Sequence, residues 1–274
     1  MTVDAHHHVW DLSVRDQDWI EEHSPLRRDF TMADLGPEAD AAGVDRTVLV
    51  QTVTVAEETP EFLALAAGHE LIAGVVGWTD LTRPDVADEL ARLRELPGGQ
   101  YLKGIRHQVQ GEPDPQWLLR ADVRRGLTAV ADAGLVYDLL VLPHQLPACV
   151  EVAAGLPQLT FVLDHLGKPP IASGALEPWA GDIRALAALP NTVCKLSGMV
   201  TEADAASWTV DDLRPYAEVV VDAFGPDRLM FGSDWPVCTL AATYGDVLDA
   251  AATLTGPADR TRVFETTATR VYGL

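Results

Sequence analysis

Eight short runs rich in β-branched residues recur along this chain, at Thr2–His8, Arg46–Thr52, Ile72–Trp78, Leu102–His107, Val136–Leu142, Thr160–His165, Thr192–Ser197 and Leu229–Ser233. Between them lie Ala/Leu-rich amphipathic stretches such as Thr59–Gly68, Asp85–Leu96, Ala121–Ala133, Leu146–Gly155, Gly181–Leu189 and Val210–Phe224. Helices over about Gly245–Leu254 and Pro257–Val271 close the series. Most helical stretches stop at Gly- or Pro-containing turns, as helix ends do. Eight strand–helix alternations in 274 residues predict an α/β fold, a (β/α)8 TIM barrel built as one domain over residues 1–274. A doubly wound open sheet competes, but no G-x-G-x-x-G follows the first run, and no low-complexity linker divides the chain. The polar and aromatic segment Asp11–Asp34 then becomes a loop over the barrel mouth.

Composition narrows the partners. With 20 Lys and Arg against 41 Asp and Glu, the formal net charge is −21, which argues against nucleic acid or an anionic membrane as a partner. A small anionic substrate stays open, because one local arginine can override the average. Hydrophobic residues make up 47%, enough for a large core, yet no apolar run approaches the ~20 residues of a membrane span. Cys149, Cys194 and Cys238 form no C-x-x-C pair and read as buried thiols. Charged Asp4 lies where a signal peptide would need an apolar run, so the expected location is the cytoplasm. Oligomeric state is not legible.

A barrel places chemistry at the C-terminal ends of its strands. Strand one ends in His6-His7-His8; by alternation His6 and His8 share a face and His7 takes the other. Two imidazoles on one side of a strand end can grip a metal ion or a carbonyl oxygen. The run is three long, lacks a linker and passes directly into Val9-Trp10-Asp11, so it reads as strand and not as a tag remnant. Strand four ends in Lys103-Gly104-Ile105-Arg106-His107, strand six in Asp164-His165-Leu166-Gly167-Lys168-Pro169, and strand eight in Gly232-Ser233-Asp234-Trp235-Pro236. Plainer roles exist for each: Asp234 as a turn cap, His165 as a core histidine, Arg106 as half of an ion pair. Alternation sets Lys103 and His107 on one face of strand four and Arg106 on the other, leaving open which faces the pocket. It also turns Asp164 away from His165, toward a supporting role. Trp10, Trp78 and Trp235 lie near strand ends, where an indole face suits a sugar, although packing accounts for at least two of them. His23, His69 and His144 have no strand-end position.

Asp-x-His-x-His at Asp4–His8, Asp-His-x-Gly-Lys-Pro at Asp164–Pro169 and Gly-Ser-Asp-Trp-Pro at Gly232–Pro236 together resemble the amidohydrolase superfamily. Within it, the chain is most similar to the branch of sugar lactonases and pyrone-dicarboxylate lactonase. The resemblance implies that His6, His8, His165 and Asp234 form the central site, as catalytic groups and as candidate ligands for one divalent ion, zinc foremost. In this branch a metal is not always required, so a metal-independent site stays open. It further implies a substrate-holding basic segment at Lys103–His107. Strand five carries no histidine, reading Tyr137-Asp138-Leu139-Leu140-Val141, a departure from the superfamily's binuclear pattern with its bridging lysine or glutamate on strand four, so the resemblance extends to a mononuclear site.

Opening a lactone requires a base for water, a group polarising the ring carbonyl, and a proton for the departing alkoxide. Asp234 suits the base. His6, His8 and His165, or an ion they hold, suit the carbonyl, and Arg106, His107 and Trp78 are the expected substrate contacts. The expected activity is hydrolysis of a fucono-, rhamnono- or galactono-type sugar-acid lactone, the small molecule being the partner. A metal-dependent, non-oxidative decarboxylase of an aromatic or related acid is the alternative. A barrel that binds without catalysis has no use for four converging proton-transfer groups.

Overall fold

The structure, a computed structural model, describes residues 1–274. Its eight strands are parallel and pair in sequence order: β1 Val3–His7, β2 Arg46–Val50, β3 Ile72–Gly77, β4 Leu102–His107, β5 Val136–Leu139, β6 Phe161–Leu163, β7 Thr192–Leu196 and β8 Leu229–Phe231. The helices are α1 Met32–Ala41, α2 Glu58–Gly68, α3 Val86–Glu95, α4 Ala121–Asp132, α5 Leu146–Gly155, α6 Trp179–Ala187, α7 Met199–Glu202, α8 Val210–Phe224, α9 Tyr244–Thr255 and α10 Thr267–Tyr272. This is the expected single (β/α)8 barrel. The closing helix is less regular than its pattern predicts: a π-helical turn, Arg262–Thr266, precedes α10.

The seam between β8 and β1 is made at their ends. Asp234 donates its N–H to the His6 carbonyl at 2.8 Å, and His8 donates to the Trp235 carbonyl at 2.7 Å. Asp4 locks the seam from outside, accepting from Ser233 N at 2.8 Å, Ser233 Oγ at 2.6 Å and the Tyr244 hydroxyl at 2.9 Å. The β1–β2 register shifts between Asp4 and His7. Through that irregularity Val3 and Ala5 join the inner core, while His6 and His8 still face the axis.

Two apolar layers result. A large cluster fills the space between strands and helices, and a smaller one fills the lower barrel with Val48, Val50, Val76, Val136, Val162 and Val193, plugged by Tyr272 of α10. Above that plug the inward positions turn polar at Arg106, Asp138, Asp164 and Lys195, all at most 2% exposed. Cys149, Cys194 and Cys238 are free and buried, as expected. No helix is long and apolar enough to cross a membrane.

Candidate active site

The structure brings His6, His8, His165 and Asp234 together, all nearly or wholly buried at the C-terminal barrel end. Asp234 Oδ1 lies 3.6 Å from His6 Nε2, 3.6 Å from His8 Nε2 and 3.8 Å from His165 Nε2. The His6 and His8 Nε2 atoms are 3.1 Å apart. His8 Nδ1 stands 2.7 Å from the Val50 carbonyl, which can only accept, so this nitrogen carries a proton and Nε2 faces Asp234. His165 Nδ1 pairs with Ser197 Oγ at 2.8 Å, aiming its Nε2 at Asp234.

His165 and Asp234 both lie beyond their strands, in left-handed conformations with φ of 53° and 58°. Such backbone costs of order 1–3 kcal/mol per residue and persists where surrounding structure enforces it. The left-handed turn explains one correction. Alternation places Asp164 and His165 on opposite faces; instead β6 ends at Leu163, and both side chains converge on His6. Asp164 Oδ1 is 3.4 Å from His6 Nδ1, and the His6 and His165 ring centroids are 4.5 Å apart. Gly198 makes room for His165, since a Cβ there would sit 2.6 Å from His165 Nδ1.

Beneath the imidazoles lies a buried charge cluster that motif reading missed. Lys195 Nζ approaches Asp138 at 2.6 Å, Asp164 at 3.0 Å and His6 Nδ1 at 3.1 Å. Arg106 donates to Asp164 at 3.0 Å and to the Gln51 side chain and carbonyl at 2.8 and 2.5 Å. Tyr272 donates to Asp138 from below. Two cations face two carboxylates, so the layer is charge-balanced. Lys195 was findable in the sequence as a charge inside an otherwise apolar strand, Thr192-Val193-Cys194-Lys195-Leu196.

Electrostatics follow from this burial. Desolvation, reinforced by the Lys195 charge, pushes His6 well below its ordinary value, and desolvation brings His165 down to about 4. Both rings are therefore neutral near pH 7. Burial alone would raise the Asp234 carboxyl; the surrounding imidazoles of His165, His8 and His6 reverse that and hold it well below the usual carboxylate range. Burial and the neighbouring Asp164 carry Asp138 up to about 6 despite Lys195. Asp164, though also buried, is held well below the ordinary range by Lys195, His6 and Arg106.

Arg106 lies on the pocket side of β4, which resolves the alternative left open by alternation. His107 and Trp78 do not face the pocket, contrary to their expected role. His107 projects from the outer face of β4, stacked on Trp117 at 4.3 Å between ring centroids. There it accepts from the Trp78 indole N–H at 3.0 Å and meets Glu112 at 2.8 Å. Trp10 and Trp235 pack around Phe30, with ring centroids 5.2 and 5.5 Å from it. The indole at the pocket is Trp19, from the segment expected to cover the mouth, and Thr52, Gln108, Gln110 and Lys168 line the same cavity of about 120 Å³. Lys168 also pairs with Glu202 at 3.1 Å. Arg15 and Arg27 of the first loop are engaged away from the pocket, with Glu61 and Asp16, and His23, His69 and His144 are exposed. A larger, mainly apolar cavity of about 320 Å³ lies behind that loop, lined by Val14, Phe30 and Phe62 among others, and contains none of the four central residues.

The donor set fits a divalent ion of the zinc type. Three imidazoles and one carboxylate are nitrogen and oxygen ligands that zinc accepts at ~2.0–2.2 Å, in a tetrahedral site. Two candidate sets, His6–His8–Asp234 and His6–Asp164–His165, keep their ligand atoms within 4.8 Å of one another. Asp164 Oδ1, 3.0 Å from Lys195 Nζ, also lies 3.4 Å from His6 Nδ1. It is the acceptor His6 needs when its Nε2 lone pair turns to a cation.

A (β/α)8 barrel with imidazoles after β1 and β6 and an ionised aspartate after β8, around one open polar pocket, defines a barrel enzyme with a hydrolase-type site. The chain belongs to the amidohydrolase family, whose sequence profile matches residues 3–274. It is similar to an L-fucono-1,5-lactonase of Burkholderia multivorans, 39% identical over 289 residues, covering 100% of this chain and 96% of that protein. It is equally similar to the L-fucono-1,5-lactonase of Burkholderia ambifaria, 39% identical, covering 98% of this chain and 94% of that protein. A crystal structure of a Burkholderia multivorans amidohydrolase with bound zinc shares 39% identity and a TM-score of 0.92, covering 100% of this chain and 99% of that one.

Proposed function

We propose that this protein hydrolyses the ring ester of a sugar-acid 1,5-lactone, of the L-fucono type, to the open hydroxy acid. The observation that carries the reading is the Asp234 carboxylate facing the imidazoles of His6, His8 and His165 beside a polar pocket. The Burkholderia relatives, matched over nearly their full length, support the substrate class. Asp234 Oδ1 takes a proton from the attacking water, whose oxygen bonds to the ring carbonyl carbon. The Arg106 guanidinium, at the pocket wall, stabilises the oxyanion. As the ring C–O bond breaks, the proton held by Asp234 passes to the departing alkoxide.

The donor set and the zinc-bound Burkholderia multivorans relative support a metal-dependent reading, in which His6, His8, His165 and Asp234 would hold the ion. A zinc ion held there would lower the pKa of water to about 7 and polarise the carbonyl. Trp19 presents an indole face to the sugar ring, and Gln108, Gln110 and Lys168 are placed to meet its hydroxyls.

The test is acid release by the zinc-reconstituted protein from a panel of sugar 1,5- and 1,4-lactones, with and without prior chelation. Hydrolysis of a 6-deoxy-1,5-lactone that chelation abolishes and zinc restores is the expected result. No hydrolysis across the panel, with carbon dioxide released from an aromatic acid, would replace this reading with decarboxylation.

A further inference from the structure

The mechanism above uses the Nε2 side of His6, and its Nδ1 side faces Asp164. On that side lies Lys195, wholly buried, its ammonium ringed by Asp138 at 2.6 Å, Asp164 Oδ1 at 3.0 Å and His6 Nδ1 at 3.1 Å. These are the atoms a hard or borderline cation selects, two carboxylates and an imidazole. Burying two carboxylates is costly without a paired cation, and nothing else within the barrel faces both. We propose that Lys195 is the built-in cation of a second, closed position, so that this barrel binds one metal ion, at the His6–His8–Asp234 face, and not two.

The two candidate ligand sets share His6, and Lys195 already contacts the Asp164 oxygen and the His6 nitrogen that the lower position would need. Arg106, 3.0 Å from the other Asp164 oxygen, adds a second positive charge that repels an incoming ion there. Lys195 is accordingly a positioning residue. Its ammonium fixes Asp138 and Asp164, and Asp164 Oδ1, 3.4 Å from His6 Nδ1, takes the proton of that nitrogen, which leaves the Nε2 lone pair free for an ion. The inference rests on the reading that the upper face takes a metal. It is tested without any lactone, so inactivity on the panel leaves it standing.

The experiment is zinc titration of the chelated full-length protein, with bound metal per chain read by mass spectrometry. The wild type is expected to bind one zinc per chain. Asp138→Asn, which alters a contact of Lys195 alone among the cations, should keep that ion with affinity changed by no more than about 10-fold. Asp234→Asn should lose more than about 100-fold. Lys195→Ala, where circular dichroism shows a folded barrel, should gain a second zinc per chain. Two ions in the wild type overturn the proposal. So does loss of the ion in Asp138→Asn with retention in Asp234→Asn, or a folded Lys195→Ala that still binds one.

Discussion

At the residue scale, the catalytic account turns on Asp234, and a buried neighbour tests the electrostatics. Asp234→Asn keeps the shape but removes the negative oxygen that takes the proton, so kcat should fall by about 1,000-fold or more, ~4 kcal/mol of transition-state stabilisation. Far-UV circular dichroism should stay that of the folded barrel. His7 points away from the pocket, is wholly buried, and has no hydrogen-bond partner at either nitrogen. Burial, with a smaller contribution from His8, brings it down to about 3. Its folded pKa therefore lies below the unfolded value of ~6.5, so the unfolded chain binds more protons between the two and stability falls as pH drops through that window. His7→Leu removes both the unpaired polar atoms and this acid sensitivity. Its melting temperature at neutral pH should equal or exceed the wild type's, and the decrease from about pH 7.5 to about pH 5 should shrink. A variant that melts lower at neutral pH with an unchanged decrease would contradict this account of His7.

At the element scale, the strand ends hold the site, and there the sequence was only partly legible. Eight β-branched runs and the helical period between them sufficed for the barrel, because each element's register is visible in local alternation. His6 and His8 were legible for the same reason: a regular strand end puts i and i+2 on one side. The reading failed where strands stop. Alternation cannot anticipate the left-handed residues His165 and Asp234, so Asp164 was assigned the wrong side. It also gave no means of choosing between Arg106 and His107 on β4. Lys195, Asp138 and Tyr272 meet only in three dimensions, from β7, β5 and α10. Two predictions belong here. Gly198→Ala forces a Cβ into φ +61° and within 2.6 Å of His165 Nδ1, at a cost of ~1–2 kcal/mol in backbone strain. It should turn His165 off Ser197 and reduce kcat by about 10-fold or more, while a retained wild-type kcat would show that the position of His165 is immaterial. Asp4→Asn weakens the acceptor that ties β1 to Ser233 and Tyr244, and should lower stability by ~2–3 kcal/mol in chemical denaturation.

At the scale of the whole molecule, a valine-filled lower barrel closed by Tyr272 forms a rigid floor, a charge-balanced layer stands on it, and the imidazoles stand on that layer. A ligand that binds only this assembled arrangement stabilises the whole fold by linkage. Zinc at about 100 times its dissociation constant adds ~2.7 kcal/mol, which in a domain of this size is a rise of ~5–10 °C in melting temperature. Asp234→Asn should lose most of that rise. The acidic surface, net −21, contributes solubility and has no part in the site, where a local Arg–Lys–Asp–Asp cluster sets the field.

The central claim, that Asp234 and the three imidazoles open a sugar lactone, is tested most directly by one rate comparison. Acid release from L-fucono-1,5-lactone is measured for zinc-reconstituted wild type and Asp234→Asn, each corrected for spontaneous hydrolysis. Rapid hydrolysis by the wild type, with the variant slower by about 1,000-fold or more, is the result this account predicts. Equal rates, or a wild type no faster than buffer, would contradict it.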